Sequence, residues 1–131
     1  MARAIEERIR KRRAIIEAVR SFGVEVSRTL GPATVILYGS YARGDFNLWS
    51  DVDILVVVSD DVKLPDKPYK RLYPILDLLR PGFEVRVLRA NELKRALARN
   101  PAARRALEGA LVVLDMLGLT EELLKHGVKR A

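Results

Sequence analysis

The sequence contains no cysteine and only one histidine. The absence of cysteine excludes disulfide bonds and thiolate chemistry, and a single histidine argues against a histidine-based zinc site. No apolar run approaches the roughly 20 residues that a membrane-spanning helix needs. The N-terminal residues are too highly charged for a secretory signal. From these absences we expect a cytoplasmic protein without a membrane partner.

The charge of the chain is unbalanced towards the basic side. Its 131 residues carry 24 Lys and Arg against 17 Asp and Glu, a formal net charge of +7. We predict one domain over residues 1–131, because this length suffices for a single core. Positive charge favours an acidic partner: a nucleotide, a nucleic acid or an acidic protein face. A generally basic, well-solvated surface is the alternative, and composition does not choose between them.

Residues 2–22 have the apolar spacing of an amphipathic helix, and Gly23 is predicted to end it. A basic cluster lies around its middle, formed by Arg8, Arg10, Lys11, Arg12 and Arg13. Such a run is typical of a solvated helix face, with binding of nucleic acid or a protein partner as the alternative. No aromatic side chain is interleaved with the cluster, so nucleic acid is the less favoured partner.

The chain is organised around residues 35–58, VILYGSYARGDFNLWSDVDILVVV. An apolar run leads into Gly39-Ser40, and a second apolar run opens with Asp51 and Asp53. Apolar runs of this length, bounded by turn residues, are typical of buried strands. The polar residues between them are therefore expected where two strand ends face one site.

Asp51 and Asp53 are two residues apart, so on a strand their side chains point the same way. Neighbouring carboxylates repel one another unless a cation lies between them. Mg²⁺ prefers oxygen ligands and is commonly held by one or two carboxylates together with water and substrate phosphates. The spacing therefore indicates a magnesium site. The residues predicted to face the core instead are Val52, Ile54, Val56 and Val58.

Gly39 and Ser40 are typical of a turn that binds phosphate. A glycine permits unusual backbone angles and the close approach of other groups. The residues after it are typical of a short helix start, whose free N–H groups and partial positive charge suit a phosphate. A phosphate-binding turn that faces a carboxylate pair is the arrangement that phosphoryl or nucleotidyl transfer requires.

The combined pattern is Gly39-Ser40, then Ala42-Arg43-Gly44, then Ser50-Asp51-Val52-Asp53. It resembles the signature of the minimal nucleotidyltransferases, the small branch of the DNA polymerase β-like superfamily. The resemblance implies an α/β fold like the polymerase β palm, with a small mixed sheet of at least three strands flanked by helices. It places the motif core at residues 33–88.

The same resemblance implies an activity. A nucleoside monophosphate, AMP from ATP, would pass to an acceptor hydroxyl in a Mg²⁺-dependent reaction, with two Mg²⁺ ions present when the nucleoside triphosphate is bound. The candidate nucleotide-binding residues are Gly39, Ser40, Arg43 and Ser50. The candidate catalytic and metal-binding residues are Asp51, Asp53 and Glu84.

Glu84 is assigned from a third predicted strand, Phe83 to Leu88, in which it shares a face with Arg86. The family usually has an aspartate there, facing the aspartate pair, and the resemblance implies that this strand lies next to the one that carries Asp51 and Asp53. Glutamate is one methylene longer, so its carboxylate would have to fold back to serve as a metal ligand or as the base for the acceptor hydroxyl. An exposed Glu84–Arg86 pair on a solvated sheet face is the alternative.

Three residues of the intervening loop have two interpretations each. Arg43 either contacts a phosphate or pairs with a nearby carboxylate that holds the loop. Trp49 either stacks on a base or is partly buried in the core, which is the commoner fate of a lone tryptophan. Ser50 either caps the loop or bonds a carboxylate.

Helices are predicted for most of the remaining chain: over 69–80, where Pro74 breaks or kinks the regular part, and over 91–126. Asn91 is the predicted N-cap of the first C-terminal helix, and Pro101 starts the next. This second helix is predicted to reach Gly118, with an apolar stripe formed by Leu107, Leu111, Leu114 and Leu117. The stripe is either core or an interface with a second copy or another protein.

Small proteins of the resembled family often pair with a helical HEPN ribonuclease and act as its antitoxin by adenylylating one of its tyrosines. The resemblance therefore implies a HEPN-type partner, with a homodimer as the other expected assembly. A different class of function is a catalytically vestigial binding module that acts through protein partners. The Glu84–Arg86 arrangement and the lack of an obvious acceptor-binding domain favour that alternative.

Overall fold

The computed structural model describes residues 2–47, 49–63 and 82–131. In chain order, its elements are α1 (Ala2–Leu30), β1 (Ala33–Tyr38), α2 (Ser40–Arg43), β2 (Val52–Val58), β3 (Phe83–Arg89), α3 (Ala90–Arg99), α4 (Pro101–Leu107), β4 (Leu111–Asp115), α5 (Thr120–Leu124) and β5 (Lys129–Arg130). The helix predicted over 69–80 lies outside the described residues.

The strands form a mixed sheet in the order β3-β2-β1-β4-β5. Strand β1 is antiparallel to both of its neighbours, whereas β2 runs parallel to β3 and β4 runs parallel to β5. Helix α1 covers one face of the sheet, and α3, α4 and α5 cover the other. The expected α/β fold, a mixed sheet of at least three strands flanked by helices, is confirmed.

Strand β2 is buried on both faces. The residues packed in the core under α1 are those that the alternation predicted: Val52, Ile54, Val56 and Val58. Leu55 and Val57 pack into the opposite core with leucines of the C-terminal helices. Burial on both sides explains why the strand is a nearly continuous apolar run in the sequence. Asp53 interrupts that run near the start of the strand and is only half-buried.

Helix α1 is longer than predicted, because it continues through Gly23 to Leu30. Gly23 is buried, and a Cβ at this position would lie 2.9 Å from Val35 Cγ2 and 3.0 Å from Leu114 Cδ2. The missing side chain lets the helix approach the sheet closely, so the prediction that Gly23 ends the helix is wrong. The N-terminal part of α1 extends away from the core, with residues 2–11 all exposed. Among the described residues, no helix is both long and apolar enough to cross a membrane.

The prediction that residues 91–126 are helical is wrong for one segment. Helix α4 ends at Leu107, and Leu111–Asp115 forms β4, which pairs with β1. The helix was predicted because leucines recur three and four residues apart. Within this segment, however, successive side chains alternate between the two faces of the sheet: Leu111 and Val113 lie in the core under α1, and Val112 lies in the other core. Pairing with β4 satisfies backbone groups of β1 that would otherwise form a sheet edge. Within the stripe, Leu107 and Leu111 are buried in the core, and Leu114 and Leu117 are partly buried and pack against it, as the core interpretation predicts.

The predicted start of α3 at Asn91 is wrong, and the predicted start of α4 at Pro101 is confirmed. Helix α3 begins one residue before Asn91, and the N–H of Arg89 donates to Glu92 Oε1 at 3.1 Å. Asn91 is therefore not the N-cap, and its N–H donates to Asp60 Oδ1 at 2.8 Å. Helix α4 starts at Pro101 as predicted.

Candidate active site

The register of the sheet brings the two halves of the motif to one end of the molecule. Tyr38, the last residue of β1, is paired with Asp53 of β2. Asp53 is in turn paired with Glu84 of β3. The chain leaves β1 through Gly39 at this end of the sheet, and Asp51 precedes β2 there. The strand that carries Asp53 thus lies next to the strand that carries Glu84, as expected.

Gly39 and Asp53 are in direct contact. Gly39 has φ 77° and ψ −156°, outside the regions that other residues adopt readily. A Cβ added to Gly39 would overlap Asp53 Oδ2, so the carboxylate lies directly against the α-carbon. Asp51 has a glycine neighbour as well, because a Cβ added to Gly82 would lie 3.8 Å from Asp51 Oδ1. Each aspartate carboxylate therefore lies next to a glycine, Asp53 next to Gly39 and Asp51 next to Gly82.

Ser40 begins the short helix α2. Arg43 N donates to Gly39 O at 3.1 Å, and Gly44 N donates to Ser40 O at 2.8 Å. Gly44 ends the helix with φ 88° and ψ 3°, the left-handed conformation common after a helix C-terminus. The first N–H groups of a helix have no acceptor within it. The turn therefore presents backbone donors at the end of α2 that adjoins Gly39.

The electrostatics of the site are dominated by its carboxylates. Burial raises the pKa of Asp53 above its ordinary value, and the negative charges of Glu84 and then Asp51 raise it further. Arg86 and Arg43 act in the opposite direction. Asp53 is half-buried, whereas Asp51 and Glu84 are exposed. The repulsion at Asp53 is the kind that a bound cation relieves.

The oxygen donors at this end of the sheet fit a magnesium ion. Mg²⁺ commonly takes one or two protein carboxylates and completes its shell with water and phosphate oxygens. Asp51 and Asp53 are the carboxylates that would hold it. In the described part of the chain, no three Asp, Glu, His or Cys side chains are grouped closely enough to hold a metal ion. Glu84 therefore influences Asp53 through its charge without joining the aspartates in a three-ligand group.

Arg43 and Ser50 hold the loop that links the two halves of the motif. Arg43 pairs with a carboxylate, and its partner is Asp45, with Nε and Oδ2 3.3 Å apart. Ser50 Oγ accepts from Asn47 N at 2.9 Å and lies 3.3 Å from Asn47 Oδ1, to which it donates. Ser50 thus caps the loop, the first of its two interpretations, and forms no hydrogen bond with a carboxylate of the described residues.

Trp49 is 89% exposed, so the prediction that it is partly buried is wrong. Its backbone N–H donates to Asn47 Oδ1 at 2.8 Å, and Ser50 N donates to Asn47 O at 3.2 Å. These bonds form a tight turn that holds the indole outward, two residues before Asp51. Tryptophan is highly buried on average, so an indole this exposed beside the site is available to a ligand.

The sequence did not indicate that two arginines of the basic cluster form hydrogen bonds with the loop that follows Gly39 and Ser40. Arg8 and Arg12 donate at 2.6 to 3.1 Å to four backbone carbonyls of the motif loop, those of Tyr41, Ala42, Gly44 and Phe46. Neither the solvated-face interpretation nor nucleic-acid binding anticipates these bonds. The only indication in the sequence is the spacing of Arg8 and Arg12. They are four residues apart, and residues at this spacing lie on the same face of a helix.

The sequence profile of the nucleotidyltransferase domain family matches residues 7–113. The chain belongs to this nucleotidyltransferase family. The resemblance noted in the sequence is confirmed, and family membership supports nucleotidyl transfer as the general reaction. The matched segment of this nucleotidyltransferase begins inside α1 and extends into β4, so it includes Arg8 and Arg12 as well as the motif.

The nucleotidyltransferase is 44% identical, over 55 residues, to a protein of Methanocaldococcus jannaschii named "Putative protein adenylyltransferase". That match covers 40% of the chain and 56% of the relative, so it spans little more than half of the relative's length. The structure is also similar to that of a "putative nucleotidyltransferase" of Sulfolobus solfataricus, with a TM-score of 0.48 and 28% identity, over 70% of this chain and 78% of the other.

Proposed function

We propose that this nucleotidyltransferase transfers AMP from ATP to an acceptor hydroxyl in a Mg²⁺-dependent reaction. The observation that supports the proposal is the contact between Gly39 and the carboxylate of Asp53. It lies between the turn whose backbone donors suit phosphate and the carboxylate pair that suits magnesium. Phosphate and metal therefore have adjacent sites, as nucleotidyl transfer requires.

In the proposed complex, Gly39 and Ser40 hold the triphosphate and the aspartates hold magnesium. Close approach of the phosphates is possible because Gly39 has no side chain, and the first N–H groups of α2 are the donors. Arg43 and Ser50 contribute by fixing the loop that carries these groups. When bound, Mg²⁺ supplies charge stabilisation for the phosphate oxygens.

In the proposed chemical step, the acceptor oxygen attacks the α-phosphorus of ATP. The bond between this phosphorus and the oxygen of the β-phosphate breaks, pyrophosphate leaves with the bonding electrons, and AMP becomes esterified to the acceptor. Glu84 is the proposed base that takes the hydroxyl proton. Its exposure and its register position opposite Asp53 leave it accessible to an acceptor arriving from solvent.

The proposed acceptor is a protein. The relative from Methanocaldococcus jannaschii carries the description "Putative protein adenylyltransferase". The resemblance to the minimal nucleotidyltransferases adds a specific partner, a HEPN-type ribonuclease modified on a tyrosine and thereby inactivated. In this proposal the chain is the antitoxin of a cytoplasmic pair.

The test is transfer of label from α-labelled ATP to the proteins that co-purify with the natively produced chain. We expect labelling of a protein that requires Mg²⁺ and that the substitution Asp53→Asn abolishes. The control Asp61→Asn removes the same charge from an exposed turn beyond the far end of β2 and should leave labelling intact. Labelling that survives Asp53→Asn would contradict the proposed mechanism.

A binding module with a vestigial site is the second candidate. The observation that favours it is that Glu84 and Arg86 are both exposed on one face of β3 while Glu84 stays outside any metal-binding group. A vestigial module would show no Mg²⁺-dependent affinity for nucleotide and would keep its protein partner after loss of both aspartates. An active enzyme would lose nucleotide affinity in the same double variant.

A further inference from the structure

Arg12 caps the C-terminal end of α2. Its Nε donates to Tyr41 O at 2.9 Å and its Nη2 donates to Ala42 O at 2.6 Å. The last carbonyls of a helix have no partner within it, and a positive charge is favoured at that end. A guanidinium presents its donors in a rigid planar fork, so one side chain satisfies both carbonyls. Arg12 thereby completes a helix of only four residues.

Arg8 holds the segment that follows α2. Its Nη2 donates to Gly44 O at 3.1 Å and to Phe46 O at 2.6 Å. Its guanidinium carbon also lies 4.6 Å from the centroid of the Phe46 ring, within cation–π range. The Phe46 ring stacks on Tyr41 with centroids 4.2 Å apart, and both side chains are buried. Arg8 is therefore fixed against the loop by polar and aromatic contacts together.

The basic cluster divides into two groups. Arg8 and Arg12 contact residues 29 to 38 positions later in the chain. Arg10 and Arg13 are exposed, and within the described ranges no hydrogen bond or ion pair involves them. Lys11, the fifth member of the cluster, has its Nζ 5.9 Å from the centroid of the Tyr41 ring. A general electrostatic role of the helix would use all five charges alike. The hydrogen bonds to the loop backbone instead distinguish Arg8 and Arg12.

Residues 40–43 cannot hold a helical conformation by themselves, because a single turn is too short to be stable in water. Their position depends on neighbours, and the two arginines bond to the backbone immediately after Gly39 and Ser40. We propose that Arg8 and Arg12 are positioning residues for nucleotide binding, which hold residues 41–46 so that Gly39 and Ser40 stay in place against Asp53. This inference rests on the proposed function, since it assigns the arginines to the nucleotide site.

Two matched double variants test the inference. Arg8→Ala/Arg12→Ala removes the positioning contacts, and Arg10→Ala/Arg13→Ala removes the same charge from the same helix without them. The dissociation constant of MgATP is measured by calorimetry well below the Tm of each variant. Hydrogen exchange of the amides of residues 40–46 is measured in parallel. Arg12→Lys, which keeps the charge and loses the fork, is the milder variant should the double variant not fold.

We expect Arg8→Ala/Arg12→Ala to weaken MgATP binding by about 10- to 100-fold, because small displacements of a binding group have effects of this order. Exchange of the amides of residues 40–46 should accelerate. The control pair should stay within about twofold of the wild type, as exposed substitutions usually do. Arg12→Lys should show a smaller loss in the same direction.

Three results would overturn the inference. An equal loss of affinity in both double variants would mean that the helix acts through its overall charge. A lower Tm with unchanged MgATP affinity in Arg8→Ala/Arg12→Ala would mean that the arginines serve stability alone. A wild-type protein that binds no MgATP would refute the proposed function, and the inference with it, whereas the first two results leave the proposed function standing.

Discussion

The carboxylate of Asp53 lies against the α-carbon of Gly39, so closely that no side chain fits between them. The backbone of Gly39, with φ 77° and ψ −156°, imposes a second and independent requirement for glycine. Gly39 directly follows the last residue of β1, whereas Asp53 lies within β2. Their contact couples the turn that is proposed to bind phosphate to the carboxylate that is proposed to bind metal.

The substitution Gly39→Ala should therefore damage both stability and nucleotide binding. Backbone strain at such a position costs about 1–3 kcal/mol of unfolding free energy, and the new Cβ must also displace Asp53. The control is Gly31→Ala, where φ is +85° but no atom lies within 4 Å of the added Cβ. We expect the control to lose stability and keep MgATP affinity, measured by denaturant unfolding and calorimetry. Normal MgATP affinity in Gly39→Ala would contradict the coupling.

The raised pKa of Asp53 predicts a pH-dependent cost to stability in metal-free buffer. Burial and the charges of Glu84 and Asp51 raise this pKa above its ordinary value of 3.8, so ionisation of Asp53 destabilises the folded state. The cost is complete above the folded pKa and vanishes below pH 3.8, where the carboxyl is protonated in both states.

Asp53→Asn should accordingly raise the Tm at pH 7 in the presence of a chelator, and the gain should shrink as the pH falls. Asp61→Asn, in the exposed turn after β2, is the control and should show no such gain. A Tm that falls on substitution at neutral pH would mean that Asp53 is stabilised rather than strained by its surroundings.

Trp49 is the single tryptophan of the chain, so its fluorescence reports on the site without interference. Because the indole is 89% exposed, we expect emission at long wavelength in the free protein, and a change in intensity or wavelength when MgATP binds. If Trp49 stacks on the base of ATP, Trp49→Ala should lower the binding free energy of MgATP by about 1–3 kcal/mol, the usual contribution of a stacked base. Trp49→Phe, which keeps an aromatic ring, should retain most of the affinity. Calorimetric binding with no fluorescence change would exclude contact between Trp49 and the base.

Asp115 at the end of β4 gives a stability prediction outside the site. Burial alone would raise its pKa, but hydrogen bonds from the Thr120 and Thr34 hydroxyls and from the Leu119 and Thr120 amides outweigh burial and lower the pKa to about 2. A carboxyl with a lowered pKa stabilises the fold above its unfolded value of 3.8, and the contribution is lost as the pH falls towards 2.

Asp115→Asn should cost about 1–3 kcal/mol at pH 7, because the amide nitrogen cannot accept the bonds that Oδ2 receives from Thr120. The difference from the wild type should shrink as the pH falls below 3.8 and close only near pH 2. Glu121→Gln, which removes an exposed surface pair with Arg130, should cost no more than about 1 kcal/mol. Denaturant unfolding across this pH range measures both, and equal effects of the two substitutions would contradict the assignment.

Local patterns predicted the parts of the site that depend on local geometry. The spacing of Asp51 and Asp53 predicted that the two carboxylates lie near each other, and the charge of Asp51 does act on Asp53. The alternation of β2 placed its apolar residues in the core. These predictions needed only the period of a strand. The adjacency of Glu84 to Asp53 came from the family resemblance, since alternation alone does not give strand order.

The features that were missed depend on contacts between distant segments. Gly23 remains helical because Val35 and Leu114 pack against it, and neither neighbour can be inferred from the sequence around the glycine. Leu111–Asp115 forms a strand because β1 has an edge to pair. Arg8 and Arg12 reach carbonyls about 30 residues away, and a basic run carries no sign of which of its members will do so.

The most direct test of the proposed site is a calorimetric titration of ATP, with and without Mg²⁺, into the wild type and the variant Asp51→Asn/Asp53→Asn. We predict binding to the wild type that depends on Mg²⁺ and is lost in the double variant, with Asp61→Asn behaving as the wild type. ATP binding that is indifferent to Mg²⁺, or that survives loss of both aspartates, would contradict the assignment of this end of the sheet as a magnesium-dependent nucleotide site.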